Sequence, residues 1–282
     1  MARGNEVMHK KDLKKLALLF PIVFLAGCIQ LGGGGAGTGP GLSINSFSPS
    51  DTQVEPGTTV VLTLILENRG NSIARNIRIE LGGLTDDWQI DGRSRSIPDL
   101  DKADPSRGVN TAPRDTLDWT LVPPGLSNKL DYQAVAQVTY DYSTTLDTLI
   151  RATSQDYWRT NKPKTGVIGP SNVATGPISV TVKAPNSVFA GSSVPVYFEF
   201  HNTASGRVVG PAIDTVNVQI SGSGISCQKS QVKLIQGKDG FLRCDASTGG
   251  VSTFKDFRVS MTASYAYQLT SITTISVLPR AG

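Results

Sequence analysis

The chain is predicted to be all-β: two tandem immunoglobulin-like β-sandwiches placed behind an N-terminal signal and lipid anchor. Three observations carry the prediction. The composition is rich in turn formers (29 Gly, 16 Pro) and shows no helical period after the first thirty residues. One pattern of alternating apolar residues occurs twice. The first 28 residues read as an export segment rather than as part of a fold.

That export segment has a Lys-rich head (Lys10, Lys11, Lys14, Lys15) and an apolar run from Leu16 to Gly27, followed by Cys28. As a helix the run would be about 18 Å long, against roughly 30 Å of hydrocarbon in a bilayer, so it is too short to span comfortably. Leu25-Ala26-Gly27-Cys28 resembles a lipobox, in which small residues admit a signal peptidase and the Cys thiol takes a diacylglycerol. The expectation is a signal at 1–27 and lipidation at Cys28; an uncleaved anchor is the alternative. On either reading, residues 29–282 lie outside the cytoplasm, fixed to the outer side of the membrane.

Charge excludes a class of partners. The chain has 27 basic and 23 acidic residues, and the signal takes Arg3, four lysines, Glu6 and Asp12. Residues 28–282 therefore hold 22 basic and 21 acidic residues, near neutrality. Nucleic-acid binding needs accumulated positive charge, so no nucleic-acid partner is expected. Beyond Cys28 the only cysteines are Cys227 and Cys244, close in sequence and flanked by strand-like segments. An oxidising compartment makes them a natural disulfide, with two buried free thiols as the alternative.

Residues 28–42 form a Gly-rich tether, in which Gly32, Gly34 and Gly37 match GxGxxG without the strand and helix that a nucleotide site needs. The repeat begins beyond it. Gly57-Thr-Thr-Val60 opens a strand whose Val60, Leu62, Leu64 and Leu66 face one side, ending at Asn68; Gly191-Ser-Ser-Val194 opens another with Val194, Val196, Phe198 and Phe200, ending at Asn202. Segments 76–81 and 215–220 supply a matching central strand, and Tyr140-Asp-Tyr142 corresponds to Tyr265-Ala-Tyr267. A further strand after each Tyr pair reads as the second arm of a closing hairpin. These boundaries give domain one at 43–160 with a polar insertion at 84–116, a linker at 161–173, and domain two at 174–282.

The Pro56-Gly-Thr-x-Val60 opening, Glu67-Asn68-Arg-Gly70, Asn76-Ile-Arg-Ile-Glu80 and Trp119-Thr-Leu-Val-Pro-Pro-Gly125 resemble the CARDB-type and related immunoglobulin-like repeats of prokaryotic surface and S-layer-associated proteins. The second copy lacks the Trp-Pro-Pro-Gly element. The resemblance implies extracellular scaffolding, adhesion or envelope association, and it brings no catalytic residues.

Few residues invite chemistry. The one exported histidine, His201, stands at a strand end without a second histidine for a metal pair, and no GxSxG, HExxH or Walker loop occurs. Asp99, Asp101 and Asp104 are weak calcium candidates, because Lys102 and Arg107 interrupt them and the spacing departs from the EF-hand pattern; a solvated loop is the plainer reading. The insertion at 84–116 is the expected binding surface. Trp88, Trp119 and Trp158 are a possible sugar-stacking platform, although Trp119 alternates with Leu117 and Leu121 as a core residue does. Tyr157 and Trp158, beside the linker, are expected to pack the halves together or to face a partner. The reading is a surface lipoprotein of structural or adhesive role, with no cofactor and no catalysis, whose partners are envelope proteins or surface glycans. A solute- or glycan-binding accessory lipoprotein is the alternative, and it requires an exposed aromatic pocket.

Overall fold

The computed structural model describes residues 40–103, 111–169, 173–186, 188–191 and 193–280. Cys28 lies outside them. The first half supplies β1 (Leu42–Pro49), β2 (Gln53–Val54), β3 (Val60–Asn68), β4 (Arg75–Gly82), β5 (Gln89–Ile90), β6 (Ser94–Ile97), β7 (Arg114–Val122) and β8 (Leu130–Thr153). After the short α1 (Gln155–Asn161) come β9 (Gly166–Val167), β10 (Val173–Ala174), β11 (Ile178–Lys183), β12 (Ser193–Asn202), β13 (Arg207–Gly210) and β14 (Thr215–Gly222). The chain closes with β15 (Ile225–Cys227), β16 (Gln231–Lys233), β17 (Asp239–Ser247) and β18 (Phe254–Val277). The fold is all-β, as composition and alternation require.

Three sheets form. A four-stranded sheet of order β1-β3-β7-β5 comes from the first half, and a five-stranded sheet of order β10-β11-β12-β17-β15 from the second. The third has nine strands: a path β16-β14-β18-β8-β4-β6, with β13 and β2 on β18 and β9 on β8. Both halves build it. The alternation read in the repeat is the burial pattern observed, with Val60, Leu62, Leu64 and Leu66 and likewise Val194, Val196, Phe198 and Phe200 buried in one continuous core.

Two expectations need correction. The closing hairpins are absent: β8 and β18 each run 24 residues without a turn. Neither contains Gly, Pro or Asn, the residues a tight turn favours, and after the Tyr pair of β8 the β-branched Thr144 and Thr145 suit a continuing strand. The second correction arises from the first. β8 and β18 pair antiparallel along their whole lengths, from Phe254 opposite Thr153 through Tyr265 opposite Tyr142 to Val277 opposite Leu130. The C-terminal end of β18 therefore reaches the first half, where Ser276 and Val277 pair with Gln53 and Val54. The C-terminal end of β8 reaches the second half, where Thr153 bridges Phe189. β1 lies against β18, and β10 and β11 against β8. Residues 161–173 consequently do not separate two bodies, and the described residues belong to one compact unit. Each half is completed by a strand arm of the other.

The exchange is symmetric in its details. Tyr140 lies opposite Tyr267 and Tyr142 opposite Tyr265, so each copy offers its two equivalent tyrosines to the other, the relation of an isologous contact. The four rings make edge-on and tilted contacts at 5.9–6.3 Å. Their hydroxyls are spent on backbone groups and on a strand-end amide. Tyr142 accepts from Ser72 N at 3.1 Å, Tyr265 accepts from Ile178 N at 3.1 Å, and Tyr267 donates to Asn202 Oδ1 at 2.7 Å. Asn68 and Asn202, the strand-end residues of the repeat, staple the neighbouring turns. Asn68 Nδ2 donates to the carbonyls of Ser72, Leu100 and Asp101, and Asn202 Nδ2 to those of Gly206 and Gly237. Gly70 must be glycine, since a Cβ there would stand 2.0 Å from the Tyr142 hydroxyl and 2.6 Å from Gly41 Cα.

Burial has a pH consequence at this quartet. It pushes all four phenols up; Tyr267 rises to about 12, and the neighbouring tyrosines reinforce the shift at Tyr140. Unfolded phenols ionise near pH 10. Above that pH the unfolded chain binds fewer protons than the native one, so stability falls as pH rises, by at most about 1.4 kcal/mol per pH unit for each tyrosine. Below pH 10 these groups contribute no pH dependence. In an alkaline titration their phenolate absorbance should appear together with loss of the β-type circular dichroism. Ionisation of these four tyrosines near pH 10 in a chain that remains folded would contradict the packing.

Candidate functional site

The predicted site residues fall into separate places. Cys227 and Cys244 stand opposite one another on β15 and β17 and form a disulfide. With a sequence separation of 17 residues, this link stabilises by about 3 kcal/mol in the chain-entropy model. The bond fits an oxidising compartment outside the cytoplasm. Among the described residues no helix is long and apolar enough to cross a membrane.

Asp99 is occupied: it accepts from Arg75 Nη1 at 3.2 Å and from the Asn76 N–H at 3.1 Å. The Asp101 carbonyl is held by Asn68 at 3.1 Å, and Asp104 lies outside the described residues. Among the described residues no group of three or more His, Cys, Asp or Glu could hold a metal ion. The segment 84–116 is also less of an insertion than expected. Its β5 and β6 pair with β7 and β4, as β15 and β16 pair with β17 and β14, so the extra length is confined to 83–88, against 223–224, and 98–113, against 234–238.

The tryptophans do not form a platform. Trp88 and Trp119 are buried, packing edge-on against Tyr132 and Phe47. Tyr157 and Trp158 are half-buried on α1, whose N-terminus is capped by Ser154. The Tyr157 ring meets Phe254 and the Trp158 ring meets Phe189, each at 5.8 Å. Arg151 covers Phe254 and pairs with Asp256 through two 2.7 Å hydrogen bonds. Both rings thus bear on residues of the second half, which is the packing role of the two that the sequence left open.

His201 leads to a surface that the sequence reading missed. On the outward face of β12 and β17, Tyr197, Glu199 and His201 stand beside Arg243, Phe241 and Asp239 in direct register. His201 Nδ1 lies 2.7 Å from Asp239 Oδ1, and Lys183 Nζ lies 2.7 Å from Glu199 Oε2. Phe241 is 69% exposed, Ile235 65% and Tyr197 37%. Tyr197, Glu199, His201, Ile235, Asp239, Gly240 and Phe241 line a groove of about 350 Å³. The signal was available: Tyr197 sits out of phase with the inward Val194, Val196, Phe198 and Phe200, so an aromatic ring had to face water.

The matching face of the first half is built differently. At the place of His201 and Asp239 it has Glu67 opposite Arg114. Burial alone would raise the Glu67 carboxyl, but hydrogen bonds from Arg69 (2.7 and 2.9 Å) and Arg114 (3.2 Å) hold it below the ordinary carboxylate range. A second cleft, of about 430 Å³, opens beside the paired middles of β8 and β18 and includes Arg75, Asp141, Ser143, Asn217 and Ser264 in its lining. Its charges are already engaged, Arg75 with Asp99 and Asp141 with Asn76.

Fold and surface together describe a disulfide-bonded all-β protein with an aromatic groove open to solvent. No family model matches the chain, and no curated protein matches it. Among solved structures it is similar to a protein of unknown function from Porphyromonas gingivalis W83, with TM-score 0.23 and 14% identity over 74% of this chain and 84% of that one. It is also similar to the collagen adhesin (CNA) from S. aureus, with TM-score 0.16 and 8% identity over 87% of this chain and 94% of that one. Similarities of this size assign neither family nor function.

Proposed function

We propose that this is an exported, lipid-anchored surface protein with a structural or adhesive binding role and no reaction of its own. The observation that carries the reading is the face of β12 and β17, where an apolar centre (Tyr197, Ile235, Phe241) is rimmed by Lys183, Glu199, His201 and Asp239. Apolar centre and polar rim are the anatomy of a recognition surface, and here three exposed large apolar side chains stand together around one groove. The rest of the molecule supports such a face. A shared sheet, exchanged strand arms and a cross-strand disulfide make a rigid scaffold, on which a small surface keeps its geometry.

Cys28 would hold this scaffold at the membrane by a lipid, with the Gly-rich segment as spacer. The second reading, an accessory protein that binds a glycan or solute for an envelope machine, is supported by the same groove, because it requires an exposed aromatic pocket and the groove supplies one. The anchor is tested with Cys28→Ser in cells. We expect acyl labelling to vanish and the protein to leave the membrane fraction; a variant that still carries acyl chains would remove the lipoprotein part of the reading.

A further inference from the structure

We propose that the groove between Tyr197, Ile235 and Phe241 binds a neutral polysaccharide. The inference rests on the binding role above and names its ligand class. Its first support is a comparison inside the molecule. The halves repeat one scaffold, and Thr63 and Thr116 occupy on β3 and β7 the places that Tyr197 and Phe241 occupy on β12 and β17. Threonine serves the strand equally well at both places. Folding therefore does not ask for the rings, and a Phe that stays 69% exposed gains little from burial while adding apolar surface.

Charge narrows the ligand. Both groove carboxylates already hold a partner, Glu199 with Lys183 at 2.7 Å and Asp239 with His201 at 2.7 Å. Neither is a bare charge suited to capturing a cation, and among the described groove residues no unpaired cation stands ready for an anion. The groove offers instead two apolar ring faces and a set of fixed hydrogen-bonding groups with spare capacity, since each carboxylate oxygen has two lone pairs. A pyranose has the complementary form, with C–H faces that lie on aromatic rings and equatorial hydroxyls that reach carboxylates and amines. The groove volume of about 350 Å³ is near the lower end of small-ligand sites and suits roughly one or two sugar rings. Because the groove lies on an exposed sheet face, the rest of a long chain can leave it at either end.

The test is affinity electrophoresis of the purified full chain through native gels containing hydroxyethylcellulose, xylan, mannan or dextran, with alginate as the charged comparator. At least one neutral polymer should retard the protein. Phe241→Ser and Tyr197→Ser should each weaken that retardation by about tenfold, a loss of about 1.4 kcal/mol. Phe241→Trp should restore it, and Thr116→Ser on the twin face should leave it unchanged. Both serine variants alter exposed positions, and unchanged thermal melting will confirm that they fold. Absence of retardation in every neutral gel, retardation by alginate alone, or retardation that Phe241→Ser leaves intact would overturn the proposal. If neutral gels fail while Phe241→Ser still reduces attachment of the protein to whole envelopes, the ligand class is wrong and the binding role stands; if attachment is also unaffected, both fall.

Discussion

Residues 43–160 and 174–282, expressed as separate chains, should each fail to give a stable folded monomer. The first fragment loses the end of β18, whose Leu269, Ile275 and Val277 are buried. The second loses the end of β8, with Leu146, Ile150 and Ala152. Each fragment would also expose one edge of a 24-residue antiparallel ladder, an unpaired edge of the kind that folded proteins avoid. Two outcomes agree with the exchange: a fragment that is unfolded, or one that pairs with a second copy of itself through its own long strand, reproducing the isologous contact. Mixing the two fragments should recover the β-type circular dichroism. A fragment that is monomeric by light scattering and unfolds cooperatively would show that its half is complete without the other.

Replacing Tyr267 should produce the largest loss for a single side chain, and two substitutions divide its causes. Tyr267→Ala removes a fully buried ring from the quartet and should cost about 3–5 kcal/mol. Tyr267→Phe keeps the ring and deletes the donor to the half-buried Asn202 Oδ1, which costs about 0.5–1.5 kcal/mol. For a chain of this size the alanine variant should melt roughly 10 °C lower or more. An alanine variant within about 1 kcal/mol of the parent would mean that the tyrosine quartet is not a packed centre.

How much of this could be read from sequence depends on what each feature obeys. The inward rows of β3 and β12 obey period 2, which is local, and burial matches them residue for residue. The equivalence of Asn68 with Asn202 is visible as a shared offset, and the structure shows its cause in the turns these amides hold. The disulfide is legible from the lack of other cysteines beyond Cys28. The exchange is not legible, because the two copies carry the same alternation and a period of 2 does not say which copy a strand arm completes. Whether the chain turns after Tyr142 or continues depends on the partner strand lying alongside as well as on the β-branched Thr144 and Thr145. The polarity of segment 84–116 suggests a binding loop, whereas β5 and β6 are edge strands, where polar residues are ordinary. The aromatic face is encoded in the phase of Tyr197 within its strand, a weaker signal than the three tryptophans, two of which are core.

The claim that one face of the second half carries the binding role is tested most directly by attachment to cell envelopes, measured for two variants of the purified full chain. One carries Tyr197→Ser with Phe241→Ser; the other carries Thr63→Arg with Thr116→Arg at the matching positions of the first half. The account predicts that the first variant loses attachment at least about tenfold while the second retains it. Equal attachment of both variants, or loss confined to the second, would contradict it.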